Sequence, residues 1–186
     1  AAGEFVRVAV LRLRGQAYLL EQPVDAPCAL GVARAHAEAL HALGEDIGDE
    51  EEGDVVGVTK GLSPKYGKAR VRTTPISEQA IIGAAIGAAI VGMRPVAEIM
   101  LMNFTTVAMD MIVNHAAKLR FMSGGQTHVP MVIRTMTGAG FGTGGQHADY
   151  LEAWFAHTAG IKVVAPSNPA DAYGLMLSCI FDDDPC

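Results

Sequence analysis

Charge, aromatic residues and cysteine are all scarce in this chain. Only 18% of its 186 residues are charged, and the formal net charge is -6. A nucleic-acid partner is excluded, because neutralising phosphates needs a basic footprint. Half of the residues are hydrophobic, which excludes a disordered chain. The three cysteines, Cys28, Cys179 and Cys186, contain no Cys-x-x-Cys spacing. Their odd number argues against a disulfide framework and for a reduced compartment. The expected location is the cytoplasm, or the mitochondrial matrix in a eukaryote. No secretory signal is visible. The longest uncharged run, Ser77 to Met93, is interrupted by Glu78. What remains is shorter than the roughly 18–20 apolar residues that span a bilayer, so no membrane partner is expected.

Several catalytic signatures are also missing. There is no G-x-x-x-x-G-K-[ST] and no G-x-S-x-G elbow, so a P-loop and a hydrolase nucleophile are excluded. The glycine run Gly138 to Gly145 opens no helix at the spacing a dinucleotide fingerprint needs. No two histidines stand at i, i+4, so a zinc site would need distant segments.

Glycine is plentiful, at 21 residues against 6% aromatics, which suits close packing of helices on a sheet. The chain reads as two parts. Residues 1–42 form an atypical N-terminal arm, strand-like over Val6 to Arg14 and alanine-rich and helical over Gly31 to Leu43. Residues 43–186 form one domain, opening with an acidic surface loop from Asp46 to Gly61. Ser77 then caps a helix running to Val91, with Glu78 in its first turn. Val96 to Met102 reads as a buried strand, and Thr105 to Met122 as an amphipathic helix ended by Gly124 and Gly125. Val129 to Arg134 is a strand and Thr135 to Asp149 a glycine-rich loop. Tyr150 to Thr158 is a helix and Ile161 to Ala165 a strand. Pro169 opens the last helix. This alternation predicts an α/β fold, three layers deep (α/β/α), with a mainly parallel sheet.

Two segments place polar groups where a core alone does not need them. Glu78 heads an otherwise apolar, glycine-rich helix. Read plainly, it complements the helix dipole, an effect under about 1 kcal/mol. His147 stands in a flexible loop, Gly142 to His147. Read plainly, it is a solvent-exposed histidine, although loops after parallel strands are where ligands bind.

The order of short stretches from residue 43 onward resembles a known family. They are Leu-Gly-Glu-Asp-Ile-Gly (43–48), Gly-Val-Thr-Lys-Gly-Leu (57–62), Thr-Pro-Ile-Ser-Glu (74–78) and Gly-Met-Arg-Pro-Val-Ala-Glu (92–98). Asn-Phe (103–104) and Ala-Ala-Lys-Leu-Arg-Phe-Met-Ser-Gly-Gly (116–125) follow. The run Gly-Gly-Gln-His-Ala-Asp-Tyr-Leu-Glu-Ala-Trp-Phe-Ala-His (144–157) and Leu-Ser-Cys-Ile-Phe-Asp-Asp-Asp-Pro (177–185) complete the series. Together they are similar to the pyrimidine-binding domain of the β subunits of pyruvate, branched-chain 2-oxo acid and acetoin dehydrogenases.

The resemblance implies thiamine diphosphate as cofactor. It implies that Glu78 hydrogen-bonds N1′ of the aminopyrimidine, that Phe104 packs on that ring and that Ile76 lines the same pocket. It implies that His147 serves proton or acyl transfer near the reacting carbonyl. In parts of the family, Met131, Cys179, Ile180, Asp182 and Asp184 offer oxygens, mostly backbone, to a structural potassium ion. Asp184 stands where asparagine is common, and a solvated acidic helix end is the alternative there. The Gly-Asp-Gly motif for magnesium and diphosphate belongs to the α subunit in this family and is absent here. The implied partners are that α subunit in an α2β2 enzyme, a lipoyl-bearing acyltransferase and a 2-oxo acid. The alternatives are a transketolase-like or acetoin-cleaving relative, and an incomplete, inert copy acting as an assembly partner. The family also has a second, C-terminal domain that this sequence lacks, so a fragment of a longer chain is expected.

Overall fold

The computed structural model describes the backbone of residues 9–12 and then residues 40–48, 53, 57–138, 140 and 142–186. The strands are β1 (Ala9–Arg12), β2 (Leu40–Gly44), β3 (Val71–Thr73), β4 (Arg94–Leu101) and β5 (Val132–Thr137). The α-helices are α1 (Leu62–Tyr66), α2 (Glu78–Ile90), α3 (Leu119–Met122), α4 (Glu152–Ala156) and α5 (Pro169–Ile180). All strand pairings are parallel, in the order β1-β5-β4-β2-β3. The expected three-layer α/β fold is present.

Each layer follows from side-chain placement. Pro95 to Ile99 of β4 are all buried, as befits a central parallel strand covered on both faces. In α2, Ile81, Ile82, Ala85, Ile86 and Ala89 form one buried stripe. They pack with Ala97, Ile99, Met131 and Ile133 on one face of the sheet. On the other face, Val96 and Val132 pack with Cys179 and Ile180 at the end of α5. Asn168 caps α5, accepting the Asp171 N–H at 2.9 Å, with Pro169 at the first helical position as expected. Ser77 stands at the N-cap position of α2, but its side chain makes no capping bond.

Four expectations change. Leu40 to Leu43, read as the end of a helix, lie in β2, because pairing with β3 and β4 on both edges overrides alanine's helix propensity. The rest of the expected helix, 31–39, lies outside the described residues. The helix expected from Thr105 is irregular: a 3-10 turn over Met102–Thr106, a π-helical turn over Met111–Ala116, then α3. The Ala117 N–H bonds the Ile112 carbonyl five residues back, at 3.0 Å. That wider turn lets both Ala116 and Ala117 face the core. The strand expected at Val129 begins at Val132, after a tight turn in which the Met131 N–H bonds the Val129 carbonyl at 2.8 Å. Ile161 to Ala165 forms no ladder beyond a single bridge at Val164. The Lys162 N–H instead bonds the Pro185 carbonyl at 3.0 Å.

Gly160 locks the irregular helix to the turn after α4. Its φ is +94°, and a Cβ there would stand 1.9 Å from the Ala117 carbonyl oxygen. Gly160→Ala is expected to destabilise the domain by roughly 2–4 kcal/mol, combining backbone strain with overpacking. Urea unfolding measures this, and a change below about 1 kcal/mol would show that the contact relaxes cheaply.

Candidate active site at the carboxyl ends of the strands

The chain leaves β2 toward β3 on one side and leaves β4 toward β5 on the other. The crevice beyond the carboxyl ends of β2 and β4 is therefore a topological switch point, the usual ligand position in an open parallel sheet. Glu45 directly follows β2, and Glu78 opens the helix that follows β3. Phe104 follows β4, and His147 lies in the loop after β5.

Glu78 is 7% exposed, and among the described residues nothing donates a hydrogen bond to its carboxylate. Burial, then the Glu78 carboxylate and then Asp46 hold the Glu45 carboxyl above its ordinary range. Two carboxylates thus share the crevice. The turn that brings Glu45 there has Asp46 in the left-handed region, at φ 52°. A raised pKa in the folded state means that ionising Glu45 costs stability. That cost is absent below the ordinary value of 4.5 and grows as pH rises through the folded value. Glu45→Gln is expected to raise the thermal midpoint at neutral pH and to leave it unchanged in acid. A loss of stability at both would contradict this reading.

The structure brings Phe104 and His147 together. Their ring centroids lie 5.3 Å apart at an interplanar angle of 80°, an edge-on contact. Asn103 and Asp149 exchange two hydrogen bonds beside them, at 2.7 and 3.3 Å. The Thr137 hydroxyl donates to the Asp149 carbonyl. Ile76 belongs to the same end of the molecule but is 79% exposed, so it lines no closed pocket within this chain. Glu45, Asn103 and Asp149 were not singled out from sequence. For Glu45 no signal existed, because the strand that delivers it to the crevice was read as the end of a helix.

The five positions considered for potassium converge at the opposite end of the sheet. The Ile180 and Asp182 carbonyls accept from Arg94 Nη1 at 2.9 and 2.8 Å. The Met131 carbonyl accepts the Cys186 N–H at 3.0 Å, and the Cys179 carbonyl accepts the Asp182 N–H at 3.3 Å. Lys162 binds the Asp182 carboxylate, and Arg120 binds Asp184 at 2.6 Å. Burial works against the Lys162 ammonium, but Asp182 and Asp184 outweigh it and hold its pKa above the usual value. Protein cations thus supply the positive charge in this corner, which as arranged is not an open potassium cage. Among the described residues, no group of three or more His, Cys, Asp or Glu could hold a metal ion. Arg94 and an added cation would compete for the same carbonyls. Exchanging sodium for potassium is therefore expected to raise the thermal midpoint of Arg94→Gln more than that of the parent. Equal responses would show that Arg94 does not occupy a cation position.

The family model for the transketolase pyrimidine binding domain matches residues 29–186. The chain belongs to the transketolase pyrimidine-binding domain family. This pyrimidine-binding domain is 50% identical over 151 residues to the β subunit of an acetoin:2,6-dichlorophenolindophenol oxidoreductase from Cupriavidus necator. That match covers 77% of the chain and 44% of the relative. It is 43% identical over 167 residues to the like-named Bacillus subtilis subunit, covering 84% and 49%. It is also 43% identical over 148 residues to the human mitochondrial pyruvate dehydrogenase E1 component subunit β, covering 80% and 41%. The chain thus spans less than half the length of these relatives. A solved structure titled as a split gene transketolase, inactive β4 tetramer, superposes with a TM-score of 0.64. At 18% identity, over 84% of this chain and 46% of the other, it speaks for the fold alone.

Proposed function

We propose that this domain supplies the cofactor-activating half of a thiamine-diphosphate site in the first component of a 2-oxo acid dehydrogenase. One observation carries the reading: Glu78, a residue 7% exposed, stands beside Glu45 at the switch-point crevice, and no donor to its carboxylate occurs among the described residues. A carboxylate placed there can accept a hydrogen bond from, and share a proton with, a ligand that enters the crevice. Thiamine diphosphate, when bound, would supply an acidic thiazolium C2–H and a ring able to take up the electron pair released on decarboxylation. Glu78 holds a proton at N1′ of the aminopyrimidine and thereby makes the 4′ nitrogen a competent base. Phe104 offers a ring for the aminopyrimidine to stack on, and Ile76 extends the apolar wall once a partner covers it. His147 reaches the crevice mouth as the acid or base for the reacting carbonyl.

The partner is an α subunit in an α2β2 enzyme. Magnesium and the diphosphate are assigned to it, as the resemblance implies. A lipoyl-bearing acyltransferase then accepts the acyl group from a 2-oxo acid. Exposed apolar side chains favour subunit contacts: Ile76, Val91, Phe121 and Met122 are between 74% and 85% exposed. On α2, Gly83 lies against Met111 within the domain, but nothing lies within 4 Å of a Cβ at Gly87. Among the described residues, no helix is long and apolar enough to cross a membrane. The similarity to two acetoin oxidoreductase β subunits supports acetoin cleavage as a second reading with the same use of Glu78.

The isolated chain is expected to bind thiamine diphosphate no tighter than the millimolar range, and its mixture with an α subunit in the micromolar range or tighter. Calorimetry decides this. Sub-micromolar binding by the chain alone would overturn the shared site, and failure of the mixture to bind would favour an inert assembly partner.

A further inference from the structure

We infer that Asn103 and Asp149 form a positioning clamp that fixes the His147 imidazole at the mouth of the crevice. The inference rests on the function proposed above. Asn103 sits on the 3-10 turn beside Phe104, and Asp149 lies two residues after His147. The Asn103 amide Nδ2 donates to Asp149 Oδ2 at 2.7 Å, and its Oδ1 accepts the Asp149 N–H at 3.3 Å. An amide that donates and accepts at once can face its partner in one orientation only, so the pair sets position as well as distance. Two further contacts tie the same segment down. The Thr137 hydroxyl at the end of β5 donates to the Asp149 carbonyl, and the Leu151 N–H points at Met102 Sδ at 3.3 Å.

The chain on the other side of His147 offers no comparable anchor among the described residues. Residues 142–146 are all exposed, and Gly142 and Gly144 have φ values of 65° and 79°. Their bonds to His147 are long: its N–H to the Gly144 carbonyl at 3.3 Å, and the Thr143 hydroxyl to its carbonyl at 3.4 Å. A glycine-rich loop held from one end takes its geometry from that end. The imidazole therefore owes its place edge-on to Phe104 to a contact between residues 46 positions apart. Asn103 and Asp149 act through His147 and are positioning residues for the proposed reaction.

The test exchanges the two groups in the enzyme reconstituted with its α subunit. Asn103→Asp sets two carboxylates face to face and opens the clamp. Turnover is expected to fall about 10²-fold, the usual cost of misplacing a catalytic group by an ångström, with the cofactor KM changed less than about threefold. Adding Asp149→Asn restores a carboxylate facing an amide and is expected to recover turnover to within about threefold. Exchange of the cofactor C2 proton should stay normal throughout, because it depends on Glu78. On the chain alone, the His147 ring resonances of Asn103→Asp should shift and broaden, then return in the double variant. Unchanged turnover in Asn103→Asp would overturn the clamp. So would His147 resonances that ignore the substitution, or a loss in a folded protein that the double variant fails to recover. If C2 exchange proves independent of Glu78, the proposed function falls instead, and the ring resonances still judge the clamp.

Discussion

Glu78→Gln is expected to abolish turnover of the reconstituted enzyme and to leave the fold intact. Glutamine keeps the size of the side chain and can still hydrogen-bond N1′, but it cannot share a proton there. A positioned acid–base group contributes roughly 10²–10⁴-fold, so a loss of that size is expected in kcat. The alternative is that Glu78 only complements the dipole of α2. The same substitution would then cost under about 1 kcal/mol of stability and nothing in rate. Its position favours the first outcome. Glu78 is 7% exposed, faces a switch-point crevice and has a second carboxylate, Glu45, nearby, a placement that serving the dipole does not require. Circular dichroism and a thermal midpoint close to the parent's confirm that lost turnover is not lost fold.

The largest effect on stability is expected at the Glu98–Arg134 ion pair. The two residues stand opposite each other on β4 and β5, with side chains 10% and 9% exposed. They lie on the same face as Val96 and Val132, under α5 rather than α2. Room for Glu98 comes from Gly44 on β2, where a Cβ would lie 2.9 Å from the Glu98 Cβ. Arg134→Met strands a buried carboxylate and is expected to cost roughly 3–5 kcal/mol in urea unfolding. Adding Glu98→Leu removes that charge and should return more than half of the loss, because a well-packed apolar pair rivals a buried ion pair. Equal losses in the single and double variants would show that packing, not charge, sets the cost.

How much of this was legible in the sequence depended on the range of the interactions. The helix after Glu78 was legible from local signals, Ser77 at its cap position and Glu78 in its first turn ahead of an uncharged run, whereas its buried stripe, Ile81 to Ala89, is set by packing on the sheet. The α5 start was legible because Pro169 at the first helical position is a local signal. The resemblance implied that Phe104 and His147 serve one site, but their edge-on contact was expected neither from it nor from spacing. β2 was not legible: Leu40 to Leu43 are strand residues only because β3 and β4 flank them. The π-helical turn was hidden for a similar reason, since only packing against the core selects the wider turn at Ile112. Glu45 and the Asn103–Asp149 contact are products of tertiary structure. Neither residue's neighbours in sequence announce its partner.

Exchange of the thiamine-diphosphate C2 proton tests the central claim most directly, because it reports deprotonation without any later step. It is measured by quenched hydrogen–deuterium exchange on the chain assembled with its α subunit, magnesium and cofactor. The parent is expected to exchange far faster than free cofactor, and Glu78→Gln to lose roughly 10²–10⁴-fold of that rate. Near-parental exchange in Glu78→Gln would contradict the account and leave Glu78 as a structural carboxylate at the head of α2.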